Sequence, residues 1–182
     1  MLLQCDKLSS VTLNMGDLHH PLLIARLAEH CAARLEVLNV GEAGVNDEDV
    51  AAIAEHCPNL RVLNMHHLSN CSNYELLLEK CAKLEKLRVA SHHTYFNSHQ
   101  PTHNSAALLT AIATHCKHIH HLSFLTNTFR SCTVHPLLCL HKLRVFETSC
   151  YHFSVSIGNQ LKGVEVKHFR PDWRNEKDFS LQ

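Results

Sequence analysis

The stretch AEHCPNLRVLNM, residues 54–65, contains a cysteine followed at fixed distances by apolar residues. Leu60, Leu63 and Met65 stand three, six and eight positions after Cys57. The end of the stretch alternates apolar and polar residues, as a short half-buried strand does. If the same spacing recurs along the chain, it predicts a repeat architecture and not an isolated strand.

The pattern occurs six times with a cysteine and once without one. Successive cysteines are separated by 26, 26, 24, 35 and 23 residues, and a seventh unit, Leu161-x-x-Val164-x-Val166, lacks the cysteine. Leucine-rich repeats have periods of about 20–29 residues, so the interval of 35 must hold an insertion. The repeat cysteines are Cys5, Cys31, Cys57, Cys81, Cys116 and Cys139.

Helical patterns fill the sequence between the apolar runs. In DEDVAAIAEHC, apolar residues from Val50 to Cys57 fall at i, i+3, i+4 and i+7 and so share one helix face. Asp47 is the predicted N-cap of this helix, and Ser72 with Glu75 has the spacing of a capping box for the next helix. One strand and one helix per unit predict an α/β leucine-rich repeat solenoid, with a parallel strand sheet on the concave face and helices on the convex face.

The predicted leucine-rich repeat domain covers residues 1–170 in about six to seven repeats, and residues 171–182 are predicted to form a polar C-terminal tail. The long interval contains residues 91–104. They are polar, include Pro101 and four histidines, and lack periodicity. We therefore expect an exposed loop insertion there, between a strand and a helix.

Composition excludes several classes of protein. Lys plus Arg equals Asp plus Glu, 17 of each among 182 residues, so charge gives no reason to expect nucleic acid or an anionic membrane as partner. No apolar run approaches the ~18 residues of a membrane span. The N-terminus lacks the features of a secretory signal. We expect a cytoplasmic or nuclear protein with reduced cysteines.

Eighteen histidines and nine cysteines raise the alternative of a metal site. Four histidines, His92, His93, His99 and His103, fall in the predicted loop, and His118, His120 and His121 fall in one predicted strand. However, the chain has no C-x-x-C and no ligand spacing of the zinc-finger type. No metal is predicted.

A cysteine enzyme is a second alternative. The periodic cysteines stand where each helix gives way to the next strand, and free cysteine is among the most buried residue types, so they are predicted to be buried packing residues. Cys71, Cys132 and Cys150 fall off the period and are expected to be more exposed, but no nucleophile signature surrounds them. The chain also lacks a glycine-rich phosphate loop. We expect no catalytic residue and no cofactor.

The segments AEHCPNLRVLNM, LEKCAKLEKLRV and ATHCKHIHHLSF resemble the cysteine-containing leucine-rich repeats of F-box proteins, over roughly residues 5–148. Val45-Asn46-Asp47 resembles the Ile-Thr-Asp that opens the helix in that family. The resemblance implies the substrate-recognition arm of a cullin-type ubiquitin ligase. The family's second cysteine is missing in most units, and the first repeat begins at Cys5 with no F-box before it. Cullin-type components are therefore expected partners only if an F-box lies upstream; the alternative is a repeat-only adaptor or assembly factor unrelated to ubiquitin.

The predicted binding site is the concave face, formed by residues that alternate with the leucines along each strand. For any single position the simpler interpretation is a solvated sheet residue, but together these positions make an extended surface. Their mixed chemistry favours a protein or peptide ligand and not nucleic acid. Arg88 is the predicted hot spot, since arginine is enriched at such positions. The seven predicted partner-binding residues are Asn39, Asn64, His66, Arg88, Ser123, Leu125 and Glu147.

Overall fold

The computed structural model describes residues 7–13, 23–41, 45–66, 68, 71–91, 105–126, 135–149 and 160–168. Cys5, residues 92–104 of the predicted insertion and the predicted tail at 171–182 lie outside the described residues. The described elements are β1 (Ser10–Thr12), α1 (Leu23–Cys31), a 3-10 turn (Ala32–Arg34), β2 (Val37–Gly41), α2 (Asp47–His56), β3 (Val62–His66), α3 (Tyr74–Lys80), β4 (Lys86–Ser91), α4 (Ser105–His115), β5 (His121–Thr126), a second 3-10 turn (His135–Cys139), β6 (Val145–Thr148) and β7 (Glu165–His168).

The seven strands form one parallel sheet in chain order, from β1 to β7. Helix α1 contacts α2, α2 contacts α3, and α3 contacts α4. Strand and helix therefore alternate along the chain, each beside its counterpart in the next unit. The predicted α/β class and the parallel sheet are confirmed.

The two faces of the sheet differ in chemistry. On the leucine face, the middle residues of consecutive strands pack in one core with the apolar stripes of the helices, including Val50, Ile53, Leu77 and Ile112. We call the opposite side the polar face; it carries the residues that alternate with that row. The leucine-face row consists of Val11, Leu38, Leu63, Leu87, Leu122, Phe146 and Val166.

Two backbone irregularities absorb differences in unit length. The unit that begins at Cys31 has one residue more between the cysteine and its first leucine than the unit that begins at Cys57. The 3-10 turn Ala32–Arg34 accommodates this residue, with Ala32 at φ 43°. In β2 the register shifts between Asn39 and Gly41, where Gly41 has φ 47°. A side chain is disfavoured in this left-handed region, which explains the glycine at the shift.

Helix α2 begins differently from the prediction. Asn46, and not Asp47, is the N-cap: its side chain accepts a 2.9 Å hydrogen bond from Asp49 N, and the Asp49 carboxylate accepts one of 3.2 Å from Asn46 N. Asp49 also accepts from Ala25 N of α1 at 3.0 Å, which satisfies a free donor of that helix. Asp47 instead accepts from the backbone and hydroxyl of Ser72, at 2.6 and 3.1 Å.

The predicted capping box at Ser72 is therefore wrong. The N-cap of α3 is Asn73, and its side chain makes no capping hydrogen bond. Instead, the carboxylate of Asp47 in the preceding unit accepts hydrogen bonds from the backbone N–H groups of Ser72 and Asn73 at the start of α3. The ends of successive helices are thus held by their neighbours as well as by local side chains.

The register of the last strand also differs from the prediction. Val166 lies opposite Phe146, and Lys167 lies opposite Glu147. The sequence pattern instead places Glu165 opposite Glu147, two residues away. Gly163, at φ 81°, forms part of a turn before β7 that lengthens this unit relative to the others.

Candidate functional site

A row of polar residues crosses the middle of the polar face. Thr12, Asn39, Asn64, Arg88, Ser123, Glu147 and Lys167 lie opposite one another in consecutive strands. We call these seven residues the central row. Five of the seven predicted site residues belong to it.

The other two predicted site residues, His66 and Leu125, lie in the next row along the strands, on either side of Ala90. The spacing of the sequence pattern would also put Gly41 in this row, but the register shift in β2 places Gly41 opposite Met65. The same pattern places Asn14 in this row, and Asn14 lies outside the described residues. All seven predicted site residues are on one face, in two adjacent rows.

The predicted exposure of these residues is wrong. Asn64 and Ser123 are 0% exposed, His66 is 1% exposed and Arg88 is 7% exposed, and Asn39 and Leu125 are also buried. The Glu147 side chain is 12% exposed. Only the two ends of the central row, Thr12 and Lys167, are exposed. Adjacent side chains about 4.8 Å apart cover one another, so polar groups here must find partners within the row.

At one end of the row the amides of Asn39 and Asn64 are linked. Asn64 Nδ2 donates to Asn39 Oδ1 at 2.9 Å, and the same oxygen accepts from Gly41 N at 3.1 Å. Asn64 Oδ1 is buried and has no hydrogen-bond partner among the described residues. The pair fixes both the amide orientation and the register shift in β2.

Next to this pair in the row, the Arg88 side chain reaches across two strands. Its Nε donates to Ser123 Oγ at 3.3 Å, and its Nη2 lies 3.5 Å from Glu147 Oε2. His121 Nε2 lies 3.3 Å from the other carboxylate oxygen of Glu147. One carboxylate therefore faces two basic side chains, from β4 and β5, in a nearly closed site.

This setting lowers the pKa of Glu147 to about 2. Burial has the largest single effect and would raise the pKa. Three neighbours lower the pKa and together outweigh the effect of burial: His121 through its hydrogen bond and charge, Ser123 through its hydrogen bond, and Arg88 through its charge. Glu147 is thus a fixed negative charge at neutral pH, and it is unsuited to act as a general acid or base there.

His121 is the functional candidate that the sequence reasoning missed at this site. It was grouped with His118 and His120 as a possible metal ligand, but it stands two residues before Ser123 and so shares its face. Because successive side chains of a strand point to opposite faces, the sequence alone could have placed His121 and His120 on different faces of the sheet. In the described residues there is no group of three His, Cys, Asp or Glu side chains that could hold a metal ion.

The cysteines form a buried seam on the opposite side of the sheet, as predicted for Cys31, Cys57, Cys81 and Cys116. Cys81 Sγ donates to Cys57 O at 3.4 Å, and Cys57 Sγ donates to Ala28 O at 3.8 Å. Burial raises the pKa of Cys57, Cys81 and Cys116 to about 12.

Two cysteine predictions are wrong. Cys71, expected to be exposed, is 4% exposed, and burial followed by the charges of Asp47 and Asp49 raises its pKa to about 11. Cys139, expected to be buried, is exposed, because its unit has a 3-10 turn in place of a helix. Cys132 and Cys150 lie outside the described residues.

We expect a thiol reagent at pH 8 to label Cys139 rapidly and the four seam cysteines only after unfolding. A thiol whose pKa is about 12 is ionised in roughly one molecule in ten thousand at that pH, and the seam thiols are also sterically covered. Peptide mapping by mass spectrometry after timed alkylation, with and without denaturant, measures each site. Fast labelling of Cys57 in the folded protein would contradict the assignment.

No helix in the described part of the chain has the length and apolar character needed to cross a membrane. No protein-family model matches the chain. No curated protein matches it either.

Proposed function

We propose that this chain is a non-enzymatic protein–protein interaction module: a leucine-rich repeat solenoid resembling the substrate-recognition repeats of an F-box ubiquitin-ligase subunit. The observation that carries the proposal is the sheet, in which seven parallel strands follow chain order and equivalent residues of successive units stand in register. Each strand and each helix contacts mainly its counterpart in the adjacent unit, which is the contact pattern of repeat proteins. In this proposal the polar face is concave and the helices are convex.

The binding surface in this proposal is the polar face, and its ligand is a protein or peptide. The buried centre, with Arg88, Ser123 and Glu147, fixes the shape and charge of the face. The exposed ends of the central row, Thr12 and Lys167, are positioned for direct contact. The seven residues predicted from sequence remain the proposed site. In this proposal the buried members support the surface. Within the ion pair of Arg88 and Glu147, the Glu147 side chain is the more exposed.

Site-specific photo-crosslinking tests this placement. A photoreactive amino acid at Thr12 or at Lys167 should yield partner adducts in cells, because both positions are exposed on the polar face. Matched controls are Arg26 on α1 and Glu55 on α2, which are exposed on helices. Adducts from the helix positions alone would contradict a polar-face site.

Co-precipitation of a cullin scaffold with the native gene product would favour the ubiquitin-ligase role, and its absence from purified complexes would favour the repeat-only adaptor or assembly factor.

A further inference from the structure

A basic cluster lies at the N-terminal ends of the neighbouring strands β4, β5 and β6. Its members flank the first apolar residue of each unit, Leu84, Ile119 and Leu143. Backbone hydrogen bonds from His120 N to Glu85 O and from Arg144 N to His120 O, both 2.9 Å, keep these segments in step. We call the cluster the basic edge; it consists of Lys83, Lys117, His118, His120, His141, Lys142 and Arg144.

The basic edge contains a cleft of about 350 Å³. Five of the six residues that line it are Lys, Arg or His, the sixth being Leu143. Lys142 Nζ lies 3.1 Å from His118 Nδ1, so two basic groups share one short contact. Lys142, His118, His141 and Arg144 are exposed to solvent.

Positive charge in this cleft is poorly compensated. Farther along the same edge, the Arg61 guanidinium binds Glu85 at 2.9 and 3.1 Å and also lies 3.6 Å from Glu36. Glu85 in turn lies 3.7 Å from His120. Among the described residues, neither Lys142 nor Arg144 forms an ion pair with a carboxylate. An anionic ligand would supply the missing partner.

We propose that the basic edge binds a carboxylate-rich segment of a partner polypeptide in extended conformation. Adjacent strands are about 4.8 Å apart, so the three units span about 10 Å. Three residues of extended chain, at about 3.3 Å each, cover the same distance. Lysine and arginine donate charge-assisted hydrogen bonds to carboxylates, and an imidazole N–H group can donate as well.

Charge elsewhere on the chain disfavours a long polyanion such as nucleic acid. The net formal charge is zero, and the exposed positions of α1–α4 are mainly acidic; Arg26 and Lys80 are the only lysine or arginine residues on these helices among the described positions. A short acidic segment contacts the edge alone and avoids this repulsion. The acidic helix positions are Glu29, Asp47, Glu48, Glu55, Glu75 and Glu79. The edge is separate from the polar face, so this inference stands independently of the proposed function.

Fluorescence anisotropy with a labelled peptide of six glutamates flanked by glycines tests the proposal on the full chain. We expect binding that weakens as salt is raised, and a Kd at least about tenfold higher for the double variant Lys142→Glu, Arg144→Glu, since both side chains are exposed and their reversal repels the peptide. Arg26→Glu is the matched charge reversal on a helix and should leave the Kd within about twofold. Circular dichroism checks that each variant is folded.

Three outcomes would overturn the proposal. The first is equal binding of a six-glutamine peptide, since carboxylates would then not be recognised. The second is an unchanged Kd in the Lys142, Arg144 variant, or no binding of the glutamate peptide at low salt. The third is binding of a single-stranded oligonucleotide of equal charge more tightly than the glutamate peptide, because this would reassign the basic edge to nucleic acid.

Discussion

Replacing Arg88 with alanine should lower the free energy of unfolding by about 2–4 kcal/mol, and the melting temperature by roughly 10 °C. The Arg88 side chain is only 8% exposed, and its removal leaves the Glu147 carboxylate and the Ser123 hydroxyl buried without this donor. An exposed arginine on a sheet face could be removed at little cost to stability, but Arg88 is buried. Urea denaturation at pH 7 measures the loss.

Arg61→Ala is a matched control for this variant. Arg61 pairs with Glu36 and Glu85 of the two adjacent units, but its side chain is 42% exposed. Exposed ion pairs are screened by water and contribute little, so this variant should be much closer to wild type. Equal losses for Arg61→Ala and Arg88→Ala would show that burial of the Arg88 pair does not strengthen its contribution.

The same cluster predicts part of the acid sensitivity. The pKa of Glu147 is about 2 in the folded protein, below its ordinary value of 4.5. A group with a lowered folded pKa stabilises the protein above the unfolded pKa and loses that contribution as pH falls towards the folded pKa. The contribution, roughly 3 kcal/mol, should therefore be lost between about pH 4.5 and pH 2. Glu147→Gln should flatten the stability–pH curve in this window; an unchanged curve would contradict the pKa assignment.

Replacing Phe146 with alanine should be the most destabilising single change considered, at about 3–5 kcal/mol. Phe146 is 0% exposed on the leucine face, opposite Leu122 and Val166. Its unit has the 3-10 turn His135–Cys139 where the units of β2–β5 have the helices α1–α4, so among the described residues fewer apolar side chains from outside the sheet are available to fill a cavity.

The conservative variant Phe146→Leu separates cavity formation from loss of the aromatic ring. It keeps most of the apolar volume and should cost about 1–1.5 kcal/mol. Chemical denaturation of both variants gives the two free energies, and unchanged m-values would show that the comparison is of native-state stability. A loss below about 1 kcal/mol for Phe146→Ala would mean that the site collapses around the missing ring, or that the ring is not buried.

Local periodicity determined which residues face the helices. The spacing after the repeat cysteines predicts that Leu38, Leu63, Leu87 and Leu122 are equivalent, and the structure pairs them in consecutive strands. This works because strand alternation has a period of two and the helix stripe a period of 3.6, both set by neighbouring peptide units. The burial of the seam cysteines followed from the same local pattern.

Local signals failed where contacts between units override them. Asp47 has the side chain of an N-cap, yet it accepts from Ser72 of the next unit, and Asn46 caps α2 instead. The last strand is displaced by two residues from its predicted register because the turn at Gly163 adds length that the apolar pattern does not reveal. The contact between Asp47 and Ser72 and the pairing of β7 with β6 each join residues of different units.

The sequence by itself determined the α/β class, the parallel sheet and the face on which each site residue lies. The tertiary structure alone decided that this face is a buried network in its centre, with Arg88 joined to Glu147 over 59 residues of sequence. It also decided that three histidines, one lysine and one arginine from two successive units meet in one cleft. The physical reason is that side-chain direction follows from the backbone next to each residue, whereas burial, ion pairing and pKa depend on how closely the stacked strands bring other side chains.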